Sequence, residues 1–143
     1  MKTTQPIKIA IADDNALIRF SLSTLILRIP GYSVYGEFSN GKYLIENLNN
    51  SIHLPDICIL DIGMPVMNGY DTIKELKKKW PGIKIIVLSQ NCAPYSVRYM
   101  LQHGANAFLS KEHAYHKIEH VLYGVSEYEY YPTDIAPRKL FEQ

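Results

Sequence analysis

The chain has 143 residues, 47% of them hydrophobic and 20% charged, so it is long enough to form one domain with a buried core and is unlike a wholly disordered chain. The formal net charge of +1 gives no bulk electrostatic reason to expect binding to nucleic acid or to an anionic membrane. The two cysteines, Cys58 and Cys92, lack the spacing of a metal site and the density of a disulfide scaffold, which favours reduced thiols in a cytosol.

The N-terminal apolar run is short and soon followed by aspartates, which is not the pattern of a signal peptide. No stretch approaches the roughly 20 apolar residues that a helix needs to span a bilayer. We therefore expect a cytoplasmic protein with no membrane partner.

Strand-like and helix-like segments alternate along the chain. Short apolar runs rich in β-branched or aromatic residues predict strands at 7–12, 32–38, 56–61, 83–89 and 106–110. Apolar residues at three- and four-residue spacing predict helices at 14–29, 40–49, 69–79, 94–103 and 112–124. This alternation predicts an α/β fold, a doubly wound five-stranded parallel sheet, in which the most apolar runs, 7–12, 56–60 and 83–88, form the central strands.

The residues that follow the predicted strands carry chemistry. Asp13 and Asp14 follow the first strand, Asp61 the third, Ser89 the fourth and Lys111 the fifth, and parallel strands all end at the same sheet edge. Clustered carboxylates need a compensating cation, and oxygen ligands favour Mg²⁺. With the charge neutralised, a carboxylate can attack a phosphoryl group, whose negative charge calls for an ammonium and a hydroxyl donor.

Each of these residues also has a simpler interpretation. Asp14 could cap the first helix, Ser89 could satisfy backbone groups after its strand, and Lys111 could be a solvated surface residue. The convergence of all five residues on one sheet edge argues against a purely structural role for the set.

These residues carry a resemblance to the receiver domains of two-component response regulators, the chemotaxis-regulator fold. The matching motifs are "IADDN" (11–15), "ILDIGMPVMNG" (59–69), "VLSQ" (87–90) and "FLSK" (108–111). The resemblance implies a (βα)5 flavodoxin-like fold with strand order 2-1-3-4-5. It implies that Asp61 is the phosphoacceptor, that Asp14, Asp61 and the carbonyl of Gly63 hold Mg²⁺ with help from Asp13, and that Ser89 and Lys111 contact the phosphoryl oxygens.

The resemblance also implies a switch. Phosphorylation is expected to draw Ser89 toward the phosphoryl group while Phe108 turns inward; the alternative is that Phe108 is a fixed core residue. This change would alter a surface formed by the fourth helix, fifth strand and fifth helix, with candidate partner contacts at Tyr95, Arg98, Tyr99 and Gln102. Gln90 stands where the family usually has a small residue, and its long side chain is expected to narrow access to Asp61.

We assign residues 5–125 to the receiver domain and 126–143 to a linker or C-terminal tail, because the composition changes after Gly124 and prolines follow. A continued regular helix is not expected there. The tail resembles the connector of LuxR/NarL-type regulators, but no helix-turn-helix follows within these 143 residues. The chain is therefore either a receiver taken from a longer DNA-binding regulator or a stand-alone receiver with a tail.

The expected function is phosphorelay signalling: a histidine kinase or phosphotransfer protein phosphorylates Asp61, and the domain has no diffusible substrate of its own and so is not an enzyme. A homodimer is a further candidate partner, and DNA would be contacted only through another domain. A phosphatase with an aspartyl-phosphate usually has its two acids two residues apart, and a flavodoxin-like electron carrier needs a phosphate-binding first loop, which "ADDNA" is not. A pseudo-receiver that binds partners without phosphorylation is the remaining alternative.

Overall fold

The structure is a computed structural model that describes residues 5–90 and 92–128. Residues 129–143, which make up most of the predicted linker, lie outside the described part. The elements in chain order are β1 (Ile7–Ala12), α1 (Ala16–Leu27), β2 (Tyr32–Phe38), α2 (Gly41–Asn49), β3 (Ile57–Leu60), α3 (Gly69–Lys79), β4 (Lys84–Ser89), α4 (Pro94–Gln102), β5 (Ala107–Ser110) and α5 (Ala114–Tyr128).

The five strands form one parallel sheet in the order β2-β1-β3-β4-β5, which confirms the predicted fold. The three most apolar strands, β1, β3 and β4, occupy the centre as predicted. All four residues of β3 are buried because both faces of the sheet are covered. Because all five strands are parallel, they end at the same edge of the sheet, which is where the polar residues of interest lie.

Two hydrophobic cores cover the two faces of the sheet. One contains residues of α2, α3 and α4, including Leu44, Ile73 and Val97, and the other contains residues of α1 and α5, including Ile26 and Val121. Burying each large aliphatic side chain stabilises the fold by about 1.5–3 kcal/mol relative to exposure. The sheet and its helices thus form a rigid support for the loops at the strand ends.

The N-termini of three helices are capped by asparagines. The side chains of Asn15, Asn40 and Asn68 accept hydrogen bonds from backbone N–H groups in the first turns of α1, α2 and α3. The cap of α1 is thus Asn15, so the alternative in which Asp14 caps this helix is wrong. Asp14 is exposed beside the cap.

The fifth helix differs from its predicted bounds of 112–124. Residues Lys111–His113 form a 3₁₀ turn, in which the Ser110 hydroxyl accepts a hydrogen bond from the N–H of Glu112, and α5 then runs to Tyr128. The expectation that a regular helix does not continue past Gly124 was wrong. Val125 is fully buried against the α1 side of the sheet, and this packing outweighs the change in composition.

Among the described residues, no helix is long and apolar enough to cross a membrane. Both cysteines are free thiols. Cys58 lies in the buried strand β3, and burial raises the pKa of its thiol to about 12, so it stays protonated at neutral pH.

Candidate functional site

The carboxyl ends of the strands surround a cleft of about 470 Å³. Five of the residues predicted from the sequence line it: Asp14, Asp61, Gly63, Ser89 and Lys111. Parallel pairing produces this convergence, because β3 lies between β1 and β4, and β5 pairs with β4. The predicted grouping at one sheet edge therefore exists in the fold.

Three carboxylates form a cluster at the base of the cleft. One oxygen from each of Asp13, Asp14 and Asp61 lies within 4.8 Å of the others. Asp13 and Asp61 are buried, at 2% and 5% exposure, whereas Asp14 is exposed. Repulsion within such a cluster must be offset by a cation if all three groups are to be ionised.

Lys111 supplies one such cation from the end of β5. Its Nζ atom lies 2.9 Å from Asp13 Oδ2 and 3.3 Å from Asp61 Oδ2, and its side chain is only 13% exposed. Burial is the strongest single influence and disfavours the charged amine, but the combined attraction of Asp13 and Asp61 holds the pKa of Lys111 above its ordinary value. Lys111 is therefore a charged member of the site and not a solvated surface residue.

Asp61 lies in a less favourable environment than an exposed carboxylate. Burial, and then the charge of Asp13, raise the pKa of Asp61, while Lys111 and a hydrogen bond from the N–H of Ile62 oppose the shift. The raised pKa means that the ionised form of Asp61 is costly in the folded protein without a further cation. A cation bound next to the Asp61 carboxylate therefore stabilises the folded protein.

One oxygen of the cluster is left without a well-aligned hydrogen-bond donor. Asp13 Oδ2 is fully buried and accepts no hydrogen bond from the described residues, although the Lys111 Nζ atom lies 2.9 Å away as an ion pair. Asp13 Oδ1, by contrast, accepts a hydrogen bond of 2.9 Å from the N–H of Asn15. An orphaned buried oxygen beside two further carboxylates fits a hard cation such as Mg²⁺, which prefers oxygen ligands.

The position of Asp13 is held from behind by α1. The guanidinium of Arg19 donates a 2.6 Å hydrogen bond to the Asp13 carbonyl oxygen and lies 3.6 Å from Glu37, which in turn accepts a hydrogen bond from Ser23. This network joins the end of β1 to α1 and β2. The β1–α1 loop is thereby fixed in the orientation that directs its acids toward Asp61.

The loop after Asp61 has a constrained backbone. The N–H of Gly69 donates a 2.7 Å hydrogen bond to the carbonyl of Ile62, and a side chain at Gly69 would collide with the Asp61 carbonyl oxygen. Val66 has φ of 67°, a left-handed conformation that a β-branched residue rarely adopts. Gly63, by contrast, is exposed and a Cβ added there would meet no atom within 4 Å.

The two residues assigned to the switch lie at different depths. Ser89 lines the cleft at the end of β4, and Phe108 is 1% exposed within the core that also contains Val97 and Met100. In this structure Phe108 therefore faces inward and is not part of the cleft.

The cleft also contains residues that were not assigned to the site from the sequence, namely Tyr70, Tyr95, Asn15, Ile18 and Ile62. Tyr70 is the clearest omission, because its position in the first turn of α3, directly after Gly69, could have placed it beside Asp61. Gln90 is exposed and lines the cleft, where its side chain can narrow the entrance.

Comparison with known proteins identifies the fold family. The sequence profile described as "Response regulator receiver domain" matches residues 9–123. The chain belongs to this family. The assignment agrees with the predicted fold and removes the electron-carrier and phosphatase alternatives.

Two curated relatives illustrate the range of the family. The nitrate/nitrite response regulator protein NarL of Escherichia coli K12 is 36% identical over 112 residues, which cover 78% of this chain and 51% of NarL. The chemotaxis protein CheY of Thermotoga maritima is 39% identical over 104 residues, which cover 73% of this chain and 84% of CheY. The chain thus spans about half the length of NarL but most of the length of CheY.

Solved structures share the same architecture. The isolated REC domain of RcsB from Salmonella enterica serovar Typhimurium, determined with the phosphomimetic BeF₃⁻, superposes with a TM-score of 0.81 at 25% identity, covering 96% of this chain and 98% of that one. The response regulator domain of Thermotoga maritima CheB gives a TM-score of 0.73 at 25% identity, covering 86% and 96%. This chain therefore takes part in two-component signalling as a receiver domain.

Proposed function

We propose that the protein is a phosphorylation-dependent receiver in which Asp61 accepts a phosphoryl group from the phosphohistidine of a partner histidine kinase or phosphotransfer protein. The observation that carries the proposal is the position of Asp61, whose carboxylate lies 3.3 Å from the Lys111 ammonium in a cleft shared with Asp14, Gly63 and Ser89. The arrangement combines a nucleophile, a cation and a hydroxyl at one open site.

In the proposed transfer, the Asp61 carboxylate oxygen attacks phosphorus and the P–O bond forms as the P–N bond to the imidazole breaks. The leaving nitrogen takes the electron pair and a proton from water. Lys111 is positioned to shift from Asp61 to the oxygens of the transferred phosphoryl group, and the Ser89 hydroxyl is positioned to donate a hydrogen bond to them. Both contacts would stabilise the negative charge on these oxygens in the transition state and so lower the barrier to transfer. Hydrolysis reverses the loading when water attacks the same phosphorus.

The site residues also fit a divalent cation. Asp13, Asp14 and Asp61, with the backbone carbonyl of Gly63, would hold Mg²⁺, and the orphaned oxygen of Asp13 supports this assignment. The ion supplies charge neutralisation for both the cluster and the transferred group. Arg19 holds the Asp13 backbone in place for this purpose.

The output is proposed to be a change in a surface near α4 and β5. Ser89 and Phe108 are the proposed switch residues. The candidate partner surface is formed by Tyr95, Arg98, Tyr99 and Gln102, which line a second groove of about 410 Å³ together with Tyr70. We propose that this surface regulates transcription through a separate DNA-binding domain, which the 30% identity over 106 residues to the transcriptional regulatory protein DegU of Brevibacillus brevis supports. Residues 5–125 would be the receiver and 126–143 the linker, although residues 126–128 still belong to α5.

We further assign the protein to the cytoplasm, with no catalytic activity on a diffusible substrate and with a homodimer as a possible assembly. The domain supplies the nucleophile and metal site for its own modification only. A receiver of this kind needs its kinase for specificity, because the cleft itself provides only general phosphoryl-binding groups.

Intact-mass measurement of the protein incubated with acetyl phosphate and Mg²⁺ tests the proposal. We expect a gain of one phosphoryl group (~80 Da) that requires Mg²⁺ and disappears in Asp61→Asn. Asp71→Asn is the matched control, because Asp71 is an exposed aspartate in the first turn of α3, outside the cleft, and should leave the gain unchanged.

Failure to gain mass with acetyl phosphate and with phosphorylated phosphotransfer proteins would contradict the proposal and favour the pseudo-receiver, which acts by protein–protein interaction alone. A gain that persists in Asp61→Asn would place the phosphoacceptor elsewhere.

A further inference from the structure

Tyr70 occupies a position between two cavities. It lines the cleft that contains Asp61, and it also lines the neighbouring groove formed with Tyr95, Arg98, Tyr99 and Gln102 on α4. Its ring is therefore the wall between the proposed phosphoacceptor site and the surface of α4. Tyr95 is the other residue common to both cavities, but it is 67% exposed.

The backbone next to Tyr70 is tied to the loop that carries Asp61. Gly69 donates a hydrogen bond to the carbonyl of Ile62 and packs so closely against the Asp61 carbonyl that a Cβ there has no room. Tyr70 is the next residue, in the first turn of α3, whose cap is the side chain of Asn68. A displacement of the Asp61 loop must therefore displace the Tyr70 backbone as well.

The side chain of Tyr70 is tied to α4. Its hydroxyl forms a 2.7 Å hydrogen bond with the hydroxyl of Ser96, which is fully buried in the first turn of α4. Its ring meets the ring of Tyr99 edge-on at a centroid distance of 4.9 Å, and Tyr99 stacks on His103 at 4.0 Å. One side chain thus contacts both the first turn of α4 and an aromatic row along the helix.

The start of α4 makes this contact important. The N-cap residues of α1, α2 and α3 are asparagines whose side chains bond to the first turn, but the N-cap residue of α4 is Ala93, which has no side-chain acceptor. The connection that precedes α4 is short and begins after Ser89, the last residue of β4. The hydrogen bond of the partly buried Tyr70 hydroxyl to buried Ser96, at about 1 kcal/mol, is therefore a substantial contribution to the order of this first turn.

We infer that Tyr70 is a positioning residue whose hydroxyl, through Ser96, makes the order of α4 depend on the state of the Asp61 site. The inference rests on the proposed function, since it needs a site that changes state. The route runs from the Asp61 carbonyl through Gly69 and Tyr70 to Ser96, and it is separate from the route through Ser89 and Phe108.

Hydrogen exchange of the full chain, with and without BeF₃⁻ and Mg²⁺, tests the inference in Tyr70→Phe. The variant keeps the ring and its contact with Tyr99 but removes the bond to Ser96. We expect the amides of the first turns of α4 to exchange about fivefold faster in the free protein, the factor that corresponds to one hydrogen bond of about 1 kcal/mol. We also expect the change that BeF₃⁻ causes in α4 to fall to less than half of its wild-type size.

Two further variants separate coupling from general loosening. Ser96→Ala breaks the same bond from the other side, so Tyr70→Phe combined with Ser96→Ala should have no larger effect than either single change. Tyr43→Phe removes the hydroxyl of an exposed tyrosine on α2 that lines neither cavity, and it should leave the BeF₃⁻ response of α4 at its wild-type size.

A full BeF₃⁻ response of α4 in Tyr70→Phe, or additive effects of the two substitutions, would overturn the inference. Modification by acetyl phosphate is measured in parallel, to establish that the Asp61 site of Tyr70→Phe still takes up a phosphoryl group. If the wild-type protein takes up no phosphoryl group, the proposed function is overturned and the coupling with it. That measurement does not involve the Tyr70 variant, so the two failures can be told apart.

Discussion

The substitution Asp61→Asn is expected to stabilise the metal-free protein, because the ionised Asp61 carboxylate lies in a place that disfavours its charge. Burial, and then the charge of Asp13, raise the pKa of Asp61, and the Lys111 ammonium only partly opposes them. An amide of the same shape removes the charge and keeps the packing. The protein thus holds a strained electrostatic site in place for its chemistry.

The size of the effect follows from the distances in the cluster. The three aspartate oxygens lie within 4.8 Å of one another. At an effective dielectric near 20, each pair at that distance repels by about 3–4 kcal/mol, and an ammonium 3.3 Å from Asp61 attracts by about 5 kcal/mol. Because Asp14 is exposed and therefore screened, the two repulsions only about cancel this attraction. Burial of the Asp61 carboxylate then decides the sign, and we expect a gain of about 1–2 kcal/mol.

Urea unfolding at pH 7 in EDTA, followed by circular dichroism, measures this gain. Glu119→Gln is the control, because Glu119 is exposed in the middle of α5 and its loss of charge should change the free energy of unfolding by less than about 0.5 kcal/mol. Lys111→Met should have the opposite sign to Asp61→Asn, since it leaves Asp13 and Asp61 without their cation.

The pH dependence gives an independent check. With a folded-state pKa above the unfolded value, the wild type gains stability relative to Asp61→Asn as protons bind. The advantage of Asp61→Asn should therefore be complete above the raised pKa and shrink as the pH falls through it toward the ordinary aspartate value. An Asp61→Asn protein no more stable than the wild type at pH 7 in EDTA, or an advantage that ignores pH, would refute this reasoning.

Three further substitutions test the surroundings of Asp61. Val66→Gly should raise the free energy of unfolding by about 1 kcal/mol in urea, because φ of 67° costs a non-glycine residue about 1–2 kcal/mol and the Val66 side chain is 77% exposed; equal or lower stability would contradict the strain. Gly69→Ala should lower it by about 2 kcal/mol or more and slow phosphorylation, whereas Gly82→Ala, with no atom within 4 Å of its added Cβ, should be close to neutral; similar losses at both sites would contradict the role of the Asp61 contact. Gln90→Ala should be phosphorylated faster by acetyl phosphate, as followed by intact mass, and an unchanged rate would show that Gln90 does not restrict the cleft.

Local sequence signals were sufficient for the elements and for most of the cleft. Alternating apolar runs and helical spacing predicted the strands and helices, since these patterns reflect burial on one or both faces of each element. The rule that parallel strands end at one edge then brought Asp14, Asp61, Ser89 and Lys111 together without any knowledge of their distances. The order and direction of the strands do not depend on their terminal residues, so small differences between the predicted and observed strand bounds did not change which residues meet at the sheet edge.

Two details of the structure, one local and one between distant elements, were not accessible in this way. The choice of Asn15 over Asp14 as the cap of α1 depends on which side chain the loop turns toward the helix, and the extension of α5 depends on the burial of Val125 on the α1 side of the sheet. Both are decided by packing, which overrides local composition.

The sequence by itself determined the order of the elements, the family and the chemical groups at one edge of the sheet. Only the tertiary structure decided how those groups act on each other. Lys111 is shared between Asp13 and Asp61, the buried Asp13 oxygen in this ion pair accepts no hydrogen bond from the described residues, and Tyr70 joins the Asp61 loop to Ser96. The physical reason is that the sheet edge follows from strand direction alone, whereas ion pairs and hydrogen bonds depend on helix rotation and side-chain rotamers to within about 1 Å.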